Sequence, residues 1–229
     1  MKIIWLRPGT ANGFQCENCL RDRLLLEQLS AARHTVSSIP VYLPLAEKPE
    51  LSVCYGALRF WLGTACPPVQ RLPGWLNALL DNGRLLSAIA RRAKTSDPSQ
   101  GAALTLATLC GAYDPRLDAE LFEAIDACGE KPDAFLISTP LLAHQGRLAH
   151  DCFQAPLYSL IGGEDHWVDE LGAETKERVW ELMRLESESC AAFITGGTPP
   201  EQRLVEQLRL DTRVCLADFP RRGAEAQSF

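Results

Sequence analysis

Residues 2–42 read KIIWLRPGTANGFQCENCLRDRLLLEQLSAARHTVSSIPVY, and their order decides the fold. The apolar run 2–6 forms a short strand that stops at Arg7-Pro8. Gly9 and Gly13 mark the loop after it, where a turn asks for backbone angles that side chains resist. Residues 16–33 read as a helix whose Leu20, Leu24, Leu25, Leu26 and Leu29 point almost all round the axis, the pattern of a helix buried on more than one side. Residues 35–42 are rich in β-branched side chains and are closed by Pro44, which makes them a second strand. Strand, loop, helix and strand compose a βαβ unit, and such a unit implies a parallel sheet.

The alternation resumes in the second half of the chain. AFLIS at 134–138, PLYSLI at 156–161, AAFIT at 191–195 and RVCLA at 213–217 are apolar runs, most of them separated by helical segments. Near-continuous apolar runs of this length suit strands covered on both faces, so the expected fold is α/β, a doubly wound parallel sheet of Rossmann-like type. The stretch from about 43 to 129 differs. Pro44, Pro49, Pro67, Pro68 and Pro73 punctuate it, and its strongest segments have helical period. In 84–94, Leu85, Leu86, Ile89, Ala90 and Ala93 make an apolar face opposite Arg84, Arg91 and Arg92. Residues 98–110 and 115–128 continue as helices, and the whole is expected to be a helical insertion beside the sheet. Thr198-Pro-Pro-Glu201 offers an N-cap threonine, proline at the first helical position and glutamate at the third, a capping box. One domain over 1–218 and a fraying tail over 219–229 complete the expected organisation.

Composition narrows the function. The chain of 229 residues carries a formal charge of -6, so it has no basic excess to neutralise a phosphate backbone, and nucleic acid is not an expected partner. The first apolar run is shorter than the roughly 7–15 residues of a signal-peptide core. Nor does any run reach the roughly 18 residues of a membrane span, so a cytoplasmic protein is expected. An odd count of nine cysteines without a secretion signal argues for reduced thiols that pack as small apolar side chains.

Three readings of the first loop compete. Cys16 and Cys19 have the spacing of a redox dithiol or half a zinc site, yet no second Cys-x-x-Cys or histidine pair completes a metal site. At that spacing both also fall on one helical face, where they would simply pack. Gly9 and Gly13 allow a ligand to approach backbone N–H groups at a helix start, which favours phosphate or carboxylate. The spacing matches neither Gly-x-Gly-x-x-Gly nor a P-loop, so structural turn and ligand loop stand level. After the 156–161 strand comes a second glycine loop, Gly162-Gly163-Glu164-Asp165-His166-Trp167. Its place after a parallel strand aims it at the same crevice. Glu164, Asp165 and His166 could bind sugar hydroxyls or exchange protons, or the two acids could offset a helix dipole. His144 and His150 read as surface or satisfied histidines.

PGTANGFQCENCLRD after the first strand, VYLPL after the second, KPDAFLIS and GGEDHWVDEL resemble, in that order and over nearly the whole chain, the N-terminal domain of glycosyltransferase family four. That resemblance implies one half of a GT-B enzyme, the half that binds the sugar acceptor, while the other half holds the nucleotide sugar. It implies no cofactor. It puts Gly9, Thr10, Asn12 and Gly13 on the donor-diphosphate side, Gly162, Gly163, Glu164 and His166 at the reacting sugar, and Asp165 in a catalytic place. Arg71, Arg84, Arg91, Arg92 and Lys94 would form an acceptor or membrane-surface face, the alternative being a solvated stripe. The sequence departs from the family's pattern in three places. Gly162 and Leu136 stand where the family commonly has histidines, and the donor-side pair of acidic residues of the second domain has no counterpart. Two expectations follow: an acceptor half that works with a separate or missing donor domain, or a glycosyltransferase-like binding or scaffold protein without catalysis.

Overall fold

The structure is a computed structural model that describes residues 1–8, 17–41, 106–107, 109–110, 115–129, 131–210 and 214–216. Strand β1 spans Lys2–Arg7, helix α1 Glu17–Ala31 and strand β2 Thr35–Pro40. Helix α2 covers Pro115–Ala127, strand β3 Ala134–Ile137, helix α3 Ala143–Phe153 and strand β4 Leu157–Leu160. The short helix α4, Glu164–Asp169, and the longer α5, Ala173–Glu186, lead to strand β5, Cys190–Thr195. Helix α6, Pro199–Leu208, and strand β6, Val214–Leu216, follow.

All neighbouring strands pair in parallel, in the order β2-β1-β3-β4-β5-β6. The chain leaves β1 through α1 to reach β2 on one side. It then returns to β3 on the other side of β1, and from there each strand is added outward. This is the doubly wound α/β fold that the βαβ opening and the later apolar runs predict, and the order reverses between β1 and β3.

Alternation along the strands divides the core into two layers. Ile4, Leu6, Phe135, Ile137, Leu157 and Phe193 face one way and join Leu142, Ala149, Val179, Met183 and Leu204 from the helices. Ile3, Trp5, Leu136 and Leu160 face the other way, and Leu25, Leu26 and Leu29 of α1 pack on them. Trp5, Phe135 and Phe193 are wholly buried, each worth about 1.5–3 kcal/mol or more as area removed from water. The leucines of α1 turn out to serve one face more than two. Leu20 is 42% exposed, and Leu24, Leu25, Leu26 and Leu29 are half-buried, because α1 rides on the surface of its layer.

The last helix starts as its sequence dictates. The Thr198 N–H donates to Glu201 Oε2 at 2.8 Å, and the reciprocal bond from the Glu201 backbone to the Thr198 hydroxyl completes the capping box. The expected 84–94 helix with its arginines, most of the expected 43–129 insertion and the 219–229 tail lie outside the described residues. No helix among those described is long and apolar enough to cross a membrane.

Candidate functional site

In open α/β sheets ligands bind beyond the carboxyl ends of the strands, where the strand order reverses. Here that crevice is bounded by Arg7 at the end of β1, Ser138 and Thr139 after β3, the first turns of α1, and the turn after β4.

A chain of buried polar groups ties these pieces together. Trp5 Nε1 donates to Ser138 Oγ at 2.9 Å, and that hydroxyl donates to Asp22 Oδ2 at 2.6 Å. Asp22, 3% exposed, also accepts from Arg21 Nη2 at 3.0 Å and Nε at 3.3 Å. The same guanidinium donates from Nη2 to the Ser138 carbonyl at 2.6 Å and from Nη1 to the Ile161 carbonyl at 2.9 Å. One side chain of α1 therefore holds the backbone just past both β3 and β4, a task that suits arginine's rigid fork of five donors. Arg7 brings a second cation: its Nε is 3.7 Å from Asp22 Oδ2, and its guanidinium lies 5.5 Å from the centre of the Trp5 ring.

The turn after β4 is pressed against α1. A side chain at Gly162 would run into Asn18 Oδ1 and Arg21 Nη1, whereas one at Gly163 would meet open space. Glu164 folds back under this turn. Its Oε2 accepts the Gly162 N–H at 2.8 Å, its Oε1 lies 3.5 Å from Asn18 Nδ2, and the Thr139 hydroxyl donates to it as well. Burial pushes the Glu164 carboxyl above the usual carboxylate range, with the charge of Arg21 and the backbone and hydroxyl donors pulling the other way.

Asp165 points elsewhere. Although only 3% exposed, it reaches toward α6, where its Oδ2 is 3.8 Å from Arg203 Nη1, and its Oδ1 has no hydrogen-bond partner among the described residues. Arg203 binds Asp169 more closely, at 2.6 Å, and Lys176 holds the same carboxylate at 2.5 Å. The hydrogen bond from Lys176, with help from both positive charges, keeps Asp169 below the usual carboxylate range. Asp169, Lys176, Trp180, Arg184, Arg203 and Gln207 wall a surface groove of about 960 Å³, to which neither α1 nor β1 contributes.

Of the residues singled out in the sequence, Gly9, Thr10, Asn12, Gly13 and Cys16 lie outside the described residues, as does the side chain of Cys19. Gly162 and Glu164 stand at the crevice, Gly163 and His166 are exposed beside it, and Asp165 is turned toward α6. His150 bonds the Ala155 carbonyl at 2.8 Å, and His144 lies 3.3 Å from Glu186, so both histidines have partners within the fold. No three His, Cys, Asp or Glu side chains gather as a metal site among the described residues. Sequence reasoning missed Asn18, Arg21, Asp22, Ser138 and Thr139. The available signal was the adjacent Arg21-Asp22 pair, opposite charges placed just where the leucine-rich run of α1 begins.

The sequence matches no known protein-family model and no curated protein.

Proposed function

We propose that this chain is the acceptor-side, Rossmann-like half of a cytoplasmic GT-B glycosyltransferase. It would transfer a sugar from a nucleotide sugar to an acceptor, the donor being held by a second domain or chain. One observation carries the reading. The Gly162 turn meets the first turns of α1 at the crevice, through Asn18 to Glu164 and Arg21 to the Ile161 carbonyl, which supports a ligand site beside both. In this reading Gly9, Thr10, Asn12 and Gly13 face the donor diphosphate, and Gly162, Gly163 and His166 face the reacting sugar. Arg84, Arg91 and Arg92 offer a face to the acceptor or to a membrane surface. Transfer then depends on holding acceptor and donor in line and on stabilising the departing diphosphate with peptide dipoles and cations.

A second reading, a binding or scaffold protein without catalysis, draws support from the two acids. Glu164 spends its oxygens on Gly162, Asn18 and Thr139, and Asp165 faces Arg203. Calorimetry with nucleotide sugars separates the readings. The chain alone is expected to show no tight donor binding, and the chain with a partner carrying a donor domain is expected to show it. Tight binding by the chain alone overturns the division of labour; silence in both arms selects the scaffold.

A further inference from the structure

We propose that Arg21 is a positioning residue that makes the turn after β3 and the turn after β4 one cooperative unit, so that the two walls of the crevice hold or open together. As placement of the sugar site, the proposal rests on the glycosyltransferase reading; as a property of the fold, it does not.

The backbone groups past the strand ends need a link that the sheet does not give them. The parallel ladder between β3 and β4 ends at the pair Ile137 and Ser159. One residue past each strand the amides still have strand partners: the Ser138 N–H donates to the Leu6 carbonyl at 3.1 Å, and the Ile161 N–H to the Ile194 carbonyl at 2.9 Å. Those partners belong to β1 and β5, on opposite sides, so they draw the two turns toward different neighbours. Among the described residues no backbone hydrogen bond joins one turn to the other. The carbonyls of Ser138 and Ile161 belong to buried residues, and a buried carbonyl needs a donor. Each takes one from Arg21, Ser138 from Nη2 at 2.6 Å and Ile161 from Nη1 at 2.9 Å.

The fork is aimed by its neighbour in sequence. Asp22 Oδ1 accepts from Arg21 Nε and Nη2, and Asp22 Oδ2 accepts the Ser138 hydroxyl, so one carboxylate fixes both the guanidinium and a residue that it grips. Two nitrogens of one rigid plane reach two carbonyls on separate turns. Lysine, with all its donors on a single nitrogen, cannot copy that span. The other ties are weaker or leave α1 out: Asn18 Nδ2 is 3.5 Å from Glu164 Oε1, and the Thr139 hydroxyl reaches Glu164 without touching α1. When one turn lifts, water reaches the guanidinium and competes for the donor on the other carbonyl, so neither turn opens cheaply alone.

The test is native-state hydrogen exchange on the full chain, at a series of urea concentrations below unfolding. Leu142, whose N–H donates to the Thr139 carbonyl, reports on the turn after β3, and Gly162, whose N–H donates to Glu164, on the turn after β4. Gln202, bonded to the Thr198 carbonyl in α6, is the distant control. In the wild-type chain Leu142 and Gly162 should share one opening free energy and one urea dependence. Arg21→Lys keeps the charge and loses the fork. It should accelerate exchange at both amides by roughly 10- to 100-fold, as expected for loss of a hydrogen bond to a charged group, and separate their urea dependences, while Gln202 changes less. Val179→Ala, a core truncation on α5, lowers stability without touching the fork and should leave Leu142 and Gly162 in step. Asp22→Asn keeps the shape and weakens the aim, and should loosen both amides in the same sense by less; it stands in if Arg21→Lys does not fold. Separate openings in the wild-type chain, amides that stay in step in Arg21→Lys, or an Asp22→Asn chain with unchanged exchange at both amides overturn the proposal. If the two turns open together while calorimetry with nucleotide sugars is silent in both arms, the positioning role stands and the sugar-transfer reading falls; the reverse pair of results removes the positioning role alone.

Discussion

After β4 the chain runs Ile161-Gly162-Gly163-Glu164 into α4; after β5 it runs Thr195-Gly196-Gly197-Thr198 into α6, with Glu201 three residues on. Both turns leave a parallel strand through two glycines, and both fold a buried glutamate back onto their own backbone. Their partners differ. Glu201 binds Thr195 Oγ1 at 2.9 Å and the Thr198 N–H at 2.8 Å, all within seven residues of sequence. Glu164 binds one neighbour, Gly162, and otherwise depends on Asn18 and Thr139. The glycines differ in the same way. Gly197 has φ +73, a left-handed angle that an L side chain resists, while Gly162 is needed because α1 stands too close for a side chain. One turn is a local device that any helix start could use. The other exists only because a helix distant in sequence is laid across it.

The sharpest way to break the contrast is to remove what fixes α1 over the β4 turn. Asp22→Ala strands Arg21 and the Ser138 hydroxyl in a buried place, and a loss of about 3–5 kcal/mol in urea unfolding is expected. A loss below about 1 kcal/mol would mean that the Arg21 network is not what holds the turn. Next comes Gly162→Ala, which drives a methyl group into Asn18 and Arg21 and should cost about 1–3 kcal/mol. Its neighbour is the control: Gly163→Ala meets open space and should stay within about 0.5 kcal/mol of wild type in the same titration. Equal effects at the two glycines would erase the distinction between local and tertiary causes. On the local side, Thr198→Ala removes one cap and should lower stability by about 1 kcal/mol without altering exchange at residues 160–168. Smallest of all is Arg203→Ala. Its side chain is 53% exposed, and its closer pair, with the partly exposed Asp169, sits where water and salt screen it, so a change under about 1 kcal/mol that shrinks in salt is expected.

Legibility in the sequence followed the same division. The apolar runs at 2–6, 134–138, 156–161 and 191–195 correspond to β1, β3, β4 and β5 to within a residue or so at each end. β1, β3 and β4 are buried on both faces or nearly so, and β5 in part, and burial writes itself into consecutive residues. The 16–33 helix appears as α1, which stops at Ala31, two residues before the expected end, and the Thr198 capping box appears in full. At the crevice only part was legible. The glycine turn at Gly162 and the acid at Glu164 could be picked out, because glycine pairs and first-turn acids are local marks. The direction in which Glu164 and Asp165 point was not legible: adjacent residues on a short helix diverge by about 100°, and what each then meets belongs to other elements.

By itself, the sequence determined a βαβ opening, a parallel sheet with two covered faces and the helix start at Thr198, since hydrophobic period and capping chemistry act over a few neighbouring residues. Only the tertiary structure decided that Arg21 would bind the backbone past both β3 and β4, that Gly162 had to be bare, and that Glu164 would be closed in beneath Asn18 and Thr139. Those outcomes depend on chain segments more than a hundred residues apart meeting at one strand end, and no local pattern records such a meeting.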